Sequence, residues 1–436
     1  MKKSTSNIIK GLDSALGQIN LVESFERTRQ HYDEPKFWFY SATLSDKNLT
    51  HDGLHFSSNS SGVSFFSQKM AVLKALVEAL ERYSNFAFFQ KDVDFTGTYS
   101  DVKTSAINPR LFVYFSEKQL HINEYKKFLI DEKSRFRWTK VKSLTNSKEY
   151  LVPCQSIYLS YDPIQSEPII HPSISTGAAG HSNLDSAILA GIYEIIERDS
   201  FMIYYLNKLK PKKYDLRSSK NKIISSLVEI TDRYNMELYS VDISTDLDIP
   251  VVASILIDRS GLSKAVSVGL KANLDVEKAI VGSINEAFHT RSWIREAYIK
   301  NPVSISKVKL FEDSSIKNRG LLWYHPRSIS KINFLIKELK IKNIGPKNKR
   351  VSVQAQITQL KNILRKRNYT IYYKDITPMY FKNIPFKAVK VLVPGMQPLY
   401  LDEKFPLWGG KRLYDVPSKL GYKRNAKLNA YPHPFL

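Results

Sequence analysis

This sequence predicts one large α/β or α+β domain, and three observations carry that prediction. Strand-like and helix-like stretches alternate over the whole length. No linker divides them. Two strongly helical segments repeat one another, VEALERYSNF at 77–86 and YEIIERDSFM at 193–202. Alternating elements of this kind bury their apolar faces against each other in a layered core. The 436 residues would allow about three units by length alone, and 43% hydrophobic with 25% charged residues is the profile of a folded chain.

Residues 1–57 form a weakly patterned N-terminal segment. It opens MKKSTSNIIKGLDSALG, positive at first, but polar residues interrupt it too often for the apolar run of a signal peptide. Nowhere is there an unbroken apolar run of about 18 residues, so no membrane span is expected and the chain reads as cytoplasmic. SSNSSG (57–62) reads as a loop. From Ser67 to Phe89, Met70, Leu73, Leu76, Val77, Leu80 and Phe88 recur at helical spacing.

LFVYF (111–115), FRWTKV (136–141) and EYLVPCQSIYLSY (149–161) read as strands. The last holds Cys154, the only cysteine, which excludes intramolecular disulfides and zinc ribbons. A core role is expected for it rather than a catalytic one. HPSISTGAAGHSN (171–183) is a small-residue loop feeding a second helix, Leu184 to Lys208, with Asn183 as its N-cap. ELYSVDIS and IPVVASILIDRS follow as strands, and then a third helix from Asp275 to Tyr298. YTIYYKDI and FKAVKVLVPGM are the last strands, with Pro394-Gly395 turning the chain.

The net charge is +23. Residues 331–370 are densest, with 11 basic residues, among them Lys347, Lys349, Arg350, Arg365, Lys366 and Arg367, against Glu338 alone. No helix-turn-helix, zinc-finger or RNP signature accompanies them, so nucleic acid is not expected. A solvated basic face is the first reading of that run, and a docking surface for an acidic partner the second.

In each copy of the repeat the glutamates stand three residues apart and the arginine four after the first. Glu78, Glu81 and Arg82 therefore share one face of the first helix, and Glu194, Glu197 and Arg198 one face of the second. Such spacing also gives ordinary surface ion pairs. The apolar surroundings match too: Leu73 with Leu189, Ala75 with Gly191, Leu80 with Ile196. Two such stripes suggest helices packed side by side with their acids converging. Four carboxylates without a histidine or cysteine cluster suit Mg2+ or Ca2+. Mg2+ held that way commonly bridges to nucleotide phosphates, with arginines neutralising the rest. No GxxxxGK[ST] and no kinase signature set is present, so an ATP site here is neither P-loop nor kinase.

These residues resemble a known family. ALVEALERYSNF, STGAAGHSNLDSAILAGIYEIIERDSF, NEAFHTR, VLVPGMQPLY and the terminal YPHPFL, in that order, look like the YcaO superfamily. Within it they are most similar to the azoline-forming cyclodehydratases (D proteins) of thiazole/oxazole-modified peptide biosynthesis. The resemblance covers roughly 58–436 and implies a YcaO-like domain whose paired helices enclose an ATP and Mg2+ cleft. It implies Glu78, Glu81, Glu194 and Glu197 as metal ligands, Arg198 as a phosphate contact and Glu286 as a further nucleotide-site residue. Arg82 corresponds by position, and Ser182 stands where relatives carry an asparagine that touches nucleotide. The sequence departs from the family in its glycine-lysine-glycine loop, here SSGVSFF (60–66), in Thr176-Gly177 and Ser186, and at Gly282, where relatives have arginine.

The resemblance also implies a reaction. A Cys, Ser or Thr side chain of a precursor peptide attacks the preceding carbonyl, phosphorylation by ATP turns the carbonyl oxygen into a leaving group, and elimination leaves a thiazoline or (methyl)oxazoline. The Leu436 carboxylate is the candidate base, since in relatives the C-terminal tail reaches the active site. A frayed tail is the plainer reading of PHPFL. The implied partners are a precursor peptide, a separate E1-like (ThiF-like) leader-binding protein and a flavin-dependent dehydrogenase. Two alternatives stand beside this: a thioamide- or amidine-forming relative, and a degenerate, non-catalytic scaffold of the synthetase.

Overall fold

The computed structural model describes residues 22–45, 59–302 except 89 and 166, 307–308, 312, 315–345, 351–423 except 382, and 427–436. Lys347, Lys349 and Arg350 of the basic run lie outside these. The strands in chain order are β1 (Val22–Arg27), β2 (Trp38–Leu44), β3 (Asn59–Ser64), β4 (Phe95–Thr98), β5 (Arg135–Ser143), β6 (Glu149–Pro153) and β7 (Ala178–His181). They continue with β8 (Lys212–Tyr214), β9 (Glu237–Asp242), β10 (Val251–Ile257), β11 (Val266–Ala272), β12 (Ile341–Lys342), β13 (Tyr372–Asp375) and β14 (Lys387–Leu392). The longer helices are α1 (Gln68–Phe86), α2 (Leu184–Leu206), α3 (Lys222–Arg233), α4 (Val276–His289), α5 (Arg291–Lys300), α6 (Ile316–Leu322), α7 (Val353–Lys366) and α8 (Arg412–Lys419).

Mixed sheets and helices make this an α+β fold. Among the described residues the strands form three sheets, ordered β1-β2-β3, β11-β10-β9-β8-β12 and β4-β5-β13-β14-β7, with β6 added to β5. β3, β7 and β11 are each the terminal strand of a sheet, and each runs straight into a helix. Those helices are α1, α2 and α4, and all three begin on a short side-chain acceptor. Ser67 accepts from the Met70 amide at 3.3 Å, Asn183 from Ser186 at 3.0 Å, and Asp275 from Glu277 at 3.1 Å. Each cap satisfies an amide of the first turn that has no carbonyl partner within its helix.

Small residues let these helices lie almost in backbone contact with their strands. A Cβ on Gly62 would stand 2.1 Å from the Ala71 carbonyl oxygen and 2.4 Å from the Ala75 nitrogen. One on Gly269 would stand 2.1 Å from the Ser283 oxygen and 2.3 Å from the Ala287 nitrogen. This explains why SSNSSG is not a loop in its second half. Residues 59–64 pair with β2, and Ser60 is buried, bonded to the Ala75 carbonyl at 3.1 Å. The polarity that reads as loop is smallness required under α1.

Other expectations shift for local reasons. LFVYF makes no ladder: Asn108 caps a 3-10 turn at Pro109–Phe112, and Phe112, Tyr114 and Phe115 pack as buried side chains. The Cys154 strand ends at Pro153, and Cys154 sits fully buried in a 3-10 turn, a packing residue. The small-residue loop contains β7. The third helix divides at Thr290, where Lys264 donates to the Thr290 hydroxyl at 3.2 Å and Arg291 turns inward to Asp258 at 2.7 Å.

α2 is buried on nearly every side, as its all-round apolar sequence requires. Its one fully buried carboxylate, Asp199, takes two bonds from Arg412 of α8 at 2.7 and 2.8 Å, so the charge is paired as well as desolvated. No helix among the described residues is long and apolar enough to cross a membrane.

Gly269→Ala tests the close packing of α4 on β11. The added methyl has no space without a backbone shift, so a loss of about 1–3 kcal/mol and a lower thermal midpoint are expected, measured by calorimetry.

Candidate functional site

Counting from the three caps reveals a common register. Glu78, Glu194 and Glu286 each stand eleven residues after Ser67, Asn183 and Asp275. Three residues further, on the same helix face, stand Glu81, Glu197 and His289. The doubled helix therefore has a third, altered copy in α4.

The two positions do different work. At the earlier position Glu78 accepts from the Ser61 amide of β3 at 3.1 Å and Glu286 from the Leu270 amide of β11 at 2.6 Å, each within its own strand–helix unit. The later position reaches the next unit. Glu81 of α1 accepts from the Gly180 amide of β7 at 2.7 Å, and Glu197 of α2 pairs with Lys271 of β11 at 3.4 Å. His289 of α4 shares a hydrogen bond with the Ser61 hydroxyl of β3 at 2.6 Å. The three units thus close on one another around a well. Gly180 is part of the fit, because a Cβ there would lie 3.0 Å from the Glu81 Cβ and 2.9 Å from the Phe386 ring.

The acids of the well shift one another's titration. Burial pushes Glu81 up to about 8, and the charges of Glu194 and Glu78 add to the shift. Burial also lifts Glu286 to about 7, opposed by Arg198 and reinforced by Glu197. Glu194 is raised by burial against the pull of Arg198. Cations ring the acids. Arg82 donates twice to Glu78, at 3.0 and 2.7 Å, and Arg198 stands 3.5 Å from Glu194. Burial lowers Lys390 to about 8, with Glu194 and Glu81 opposing, and its ammonium donates to the Ile174 carbonyl at 2.8 Å. Burial lowers Lys74 as well, and Lys271 adds to that; Lys271 itself is raised, chiefly by Glu197.

Among the described residues no three of His, Cys, Asp and Glu converge closely enough to hold a metal between them. Pairs of oxygen donors are what Mg2+ uses when water and phosphate oxygens complete its shell. One amino group of the Arg198 guanidinium, NH1, is buried with no partner, a donor vacant for an anion. The donor set therefore fits magnesium shared with a polyphosphate.

The C-terminal tail is packed in place rather than frayed. Phe435 is buried, and the Arg198 guanidinium lies 4.1 Å over its ring. His433 is buried and bonded to the Tyr400 carbonyl at 2.8 Å, and Arg319, itself paired with Glu403 at 2.6 Å, donates to the His433 carbonyl at 3.2 Å. Leu436 is half-buried against Ile294, Leu321 and Tyr324.

Of the residues singled out by sequence, Glu78, Glu81, Arg82, Glu194, Glu197, Arg198 and Glu286 come together, and the tail ending at Leu436 adjoins them through Phe435. Ser182 sits on the turn before α2, its amide on the His181 ring at 2.8 Å, two residues past Gly180, whose amide Glu81 takes. Sequence reasoning passed over His289, Lys74, Lys271 and Lys390. Register from the caps would have found His289. A lone lysine inside the apolar strands VSVGLKA and KAVKVL was the signal for Lys271 and Lys390, since an unpaired charge there is costly.

Comparison with known proteins identifies a family and a fold. A family model described as YcaO cyclodehydratase, ATP- and Mg2+-binding, matches residues 65–397. A solved heterocyclase in complex with substrate and cofactor superposes with a TM-score of 0.79 and 24% identity, covering 97% of this chain and 57% of that one. YcaO from Methanopyrus kandleri, bound with AMPPCP and Mg2+, gives 0.65 and 14%, covering 92% of each chain. The E. coli microcin synthetase McbBCD complex with pro-MccB17 bound gives 0.56 and 14%, covering 85% of this chain and 87% of that one. The chain spans little more than half the length of the first of these. At such identities the structures establish a shared fold.

The raised carboxylates set a pH dependence. Glu81 and Glu286 keep protons in the folded chain that the unfolded chain releases from about pH 4.5 upward. The folded state then binds more protons, so without ligands these two groups make stability fall as pH rises from about 4.5 to about 8. Mg2+ competes with those protons, so the rise in thermal midpoint given by Mg·ATP should be small near about pH 6 and larger near about pH 8.5. Calorimetry at both values checks this, and an equal rise contradicts it.

Proposed function

The chain belongs to the YcaO family, one that binds ATP and Mg2+, and from that premise we propose that it is an ATP- and Mg2+-dependent cyclodehydratase. Its substrate on this reading is a ribosomal precursor peptide, whose Cys, Ser or Thr residues become thiazoline or (methyl)oxazoline rings within a bacteriocin synthetase. Residues 58–436 form the catalytic domain and 1–57 an N-terminal segment. The observation that carries the proposal is that Glu81 of α1 takes the Gly180 amide of β7, the strand leading into α2, so that acids from segments far apart in the chain gather near an arginine with a buried unpartnered donor.

Bound Mg·ATP would supply the phosphoryl group that makes the former carbonyl oxygen of the cyclised amide a leaving group. Glu78, Glu81, Glu194 and Glu197 would hold the metal in pairs, with Glu286 closing the third side. Arg198 and Arg82 would face the phosphates, where fixed cations stabilise charge as it develops on the transferred group. Arg198 lies over the Phe435 ring while it pairs with Glu194. The reading gives the proton of the attacking group to the Leu436 carboxylate, and the packed tail supports it. A precursor peptide, a separate E1-like leader-binding protein and a flavin-dependent dehydrogenase are the proposed partners; the McbBCD complex, solved with its pro-peptide, is the precedent for such an assembly.

Mass spectrometry of the precursor peptide, incubated with the protein, its partner and Mg·ATP, tests the proposal. Loss of one water per ring is expected. Glu197→Gln should lower that yield at least about a hundredfold while the thermal midpoint stays that of a folded chain. Peptide of unchanged mass with the unaltered protein refutes the reading. Deleting residues 432–436 should abolish ring formation, and full activity without them would remove the tail from the mechanism.

A further inference from the structure

The three walls of the well differ at one matched pair of positions. Seven residues past each cap stand Lys74, Ala190 and Gly282; four before it stand Val63, Ala179 and Lys271. In the first wall the lysine comes from the helix and leans over the strand, where Lys74 donates to the Val63 carbonyl at 3.0 Å. In the third wall the pair is inverted. The strand supplies the lysine, and the helix supplies the glycine it lies across. A Cβ on Gly282 would stand 2.7 Å from the Lys271 Cγ and 2.8 Å from its Cδ. Any larger residue at 282 would have to push this side chain aside.

The Lys271 side chain keeps 43% of its surface while the Glu197 carboxylate it meets keeps 4%. Their 3.4 Å separation is long for a charged hydrogen bond, normally about 2.7–2.9 Å. The side chain is thus tied to the well by one loose contact. Glu197 is also a residue that a bound cation would claim, and a cation there displaces the ammonium by like charge.

We propose that Lys271, admitted by Gly282, is a phosphate-gripping residue of this site, standing on Glu197 until magnesium arrives and then turning to the terminal phosphates of the nucleotide. This rests on the function proposed above and names which part of the nucleotide the third wall holds. The rival role is that of a counter-ion only, which would compete with magnesium.

Titration calorimetry of the full chain with ATP, ADP and AMP, each with Mg2+, separates these roles. Lys271→Met, which keeps length and removes charge, should weaken ATP binding about tenfold and leave AMP binding nearly unchanged. Lys271→Arg should recover most of the ATP affinity. Gly282→Ala, which keeps the lysine but denies it its place, should weaken ATP in the same direction, and it carries the test if Lys271→Met does not fold. ATP affinity that is unchanged or tighter in these variants, or an equal loss for AMP, overturns the proposal. Unaltered protein that binds no nucleotide would instead remove the function proposed above, and this inference with it.

Discussion

The architecture depends on carboxylates taking the outward-facing amides of terminal strands. β3, β7 and β11 each end a sheet, and an open edge is a row of unsatisfied donors ready to pair with another chain. Here the amides of Ser61, Gly180 and Leu270 are taken by Glu78, Glu81 and Glu286 from the packed helices. Each bond does two things at once. It satisfies a donor that no neighbouring strand reaches, and it fixes a carboxylate where helical propensity alone would leave it free to rotate. Because Glu81, Glu197 and His289 cross to the neighbouring unit, three separate sheets are tied into one rigid well.

The same contacts explain why the acids remain reactive. An amide hydrogen bond to a carboxylate lowers its pKa, yet Glu81 and Glu286 stay high because burial and neighbouring acids outweigh that single bond. Two ways of relieving the repulsion exist, a proton or a cation, and the ring of arginines and lysines leaves both open. A fully paired cluster would be inert. The glycines serve the same end by geometry: Gly180 lets Glu81 reach β7, and Gly62 and Gly269 bring helices down far enough for their glutamates to touch strand amides.

Much of this was legible in the sequence, and what was not has physical causes. The Glu-x-x-Glu-Arg repeat was visible because both copies keep the full set. The third copy was masked by two changes: histidine replaces the later glutamate, and Thr290 interrupts the helix just where the arginine would stand. A cap residue was readable, as Asn183 shows, because a cap is a local interaction. β3 was misread because its side chains are chosen for the helix above it, a tertiary demand that composition reports as a loop. Composition alone would leave the tail frayed, for the complementary reason. PHPFL has no local pattern, and its order comes from Tyr400, Arg319 and Arg198, all far away in the chain.

The departure from threefold likeness is what makes the well chemically directional. Between α1 and β7 Glu81 takes the Gly180 amide, with the charge of Glu194 near enough to raise it. Between α2 and β11 Glu197 meets a lysine, and between α4 and β3 a histidine meets a serine. Three identical walls would give a cavity alike on every side. Replacing one glutamate by His289 and admitting Lys271 over Gly282 gives the cavity an acidic side and a basic side. A metal–polyphosphate complex has the same two ends, so the asymmetry orients it without any dedicated phosphate loop.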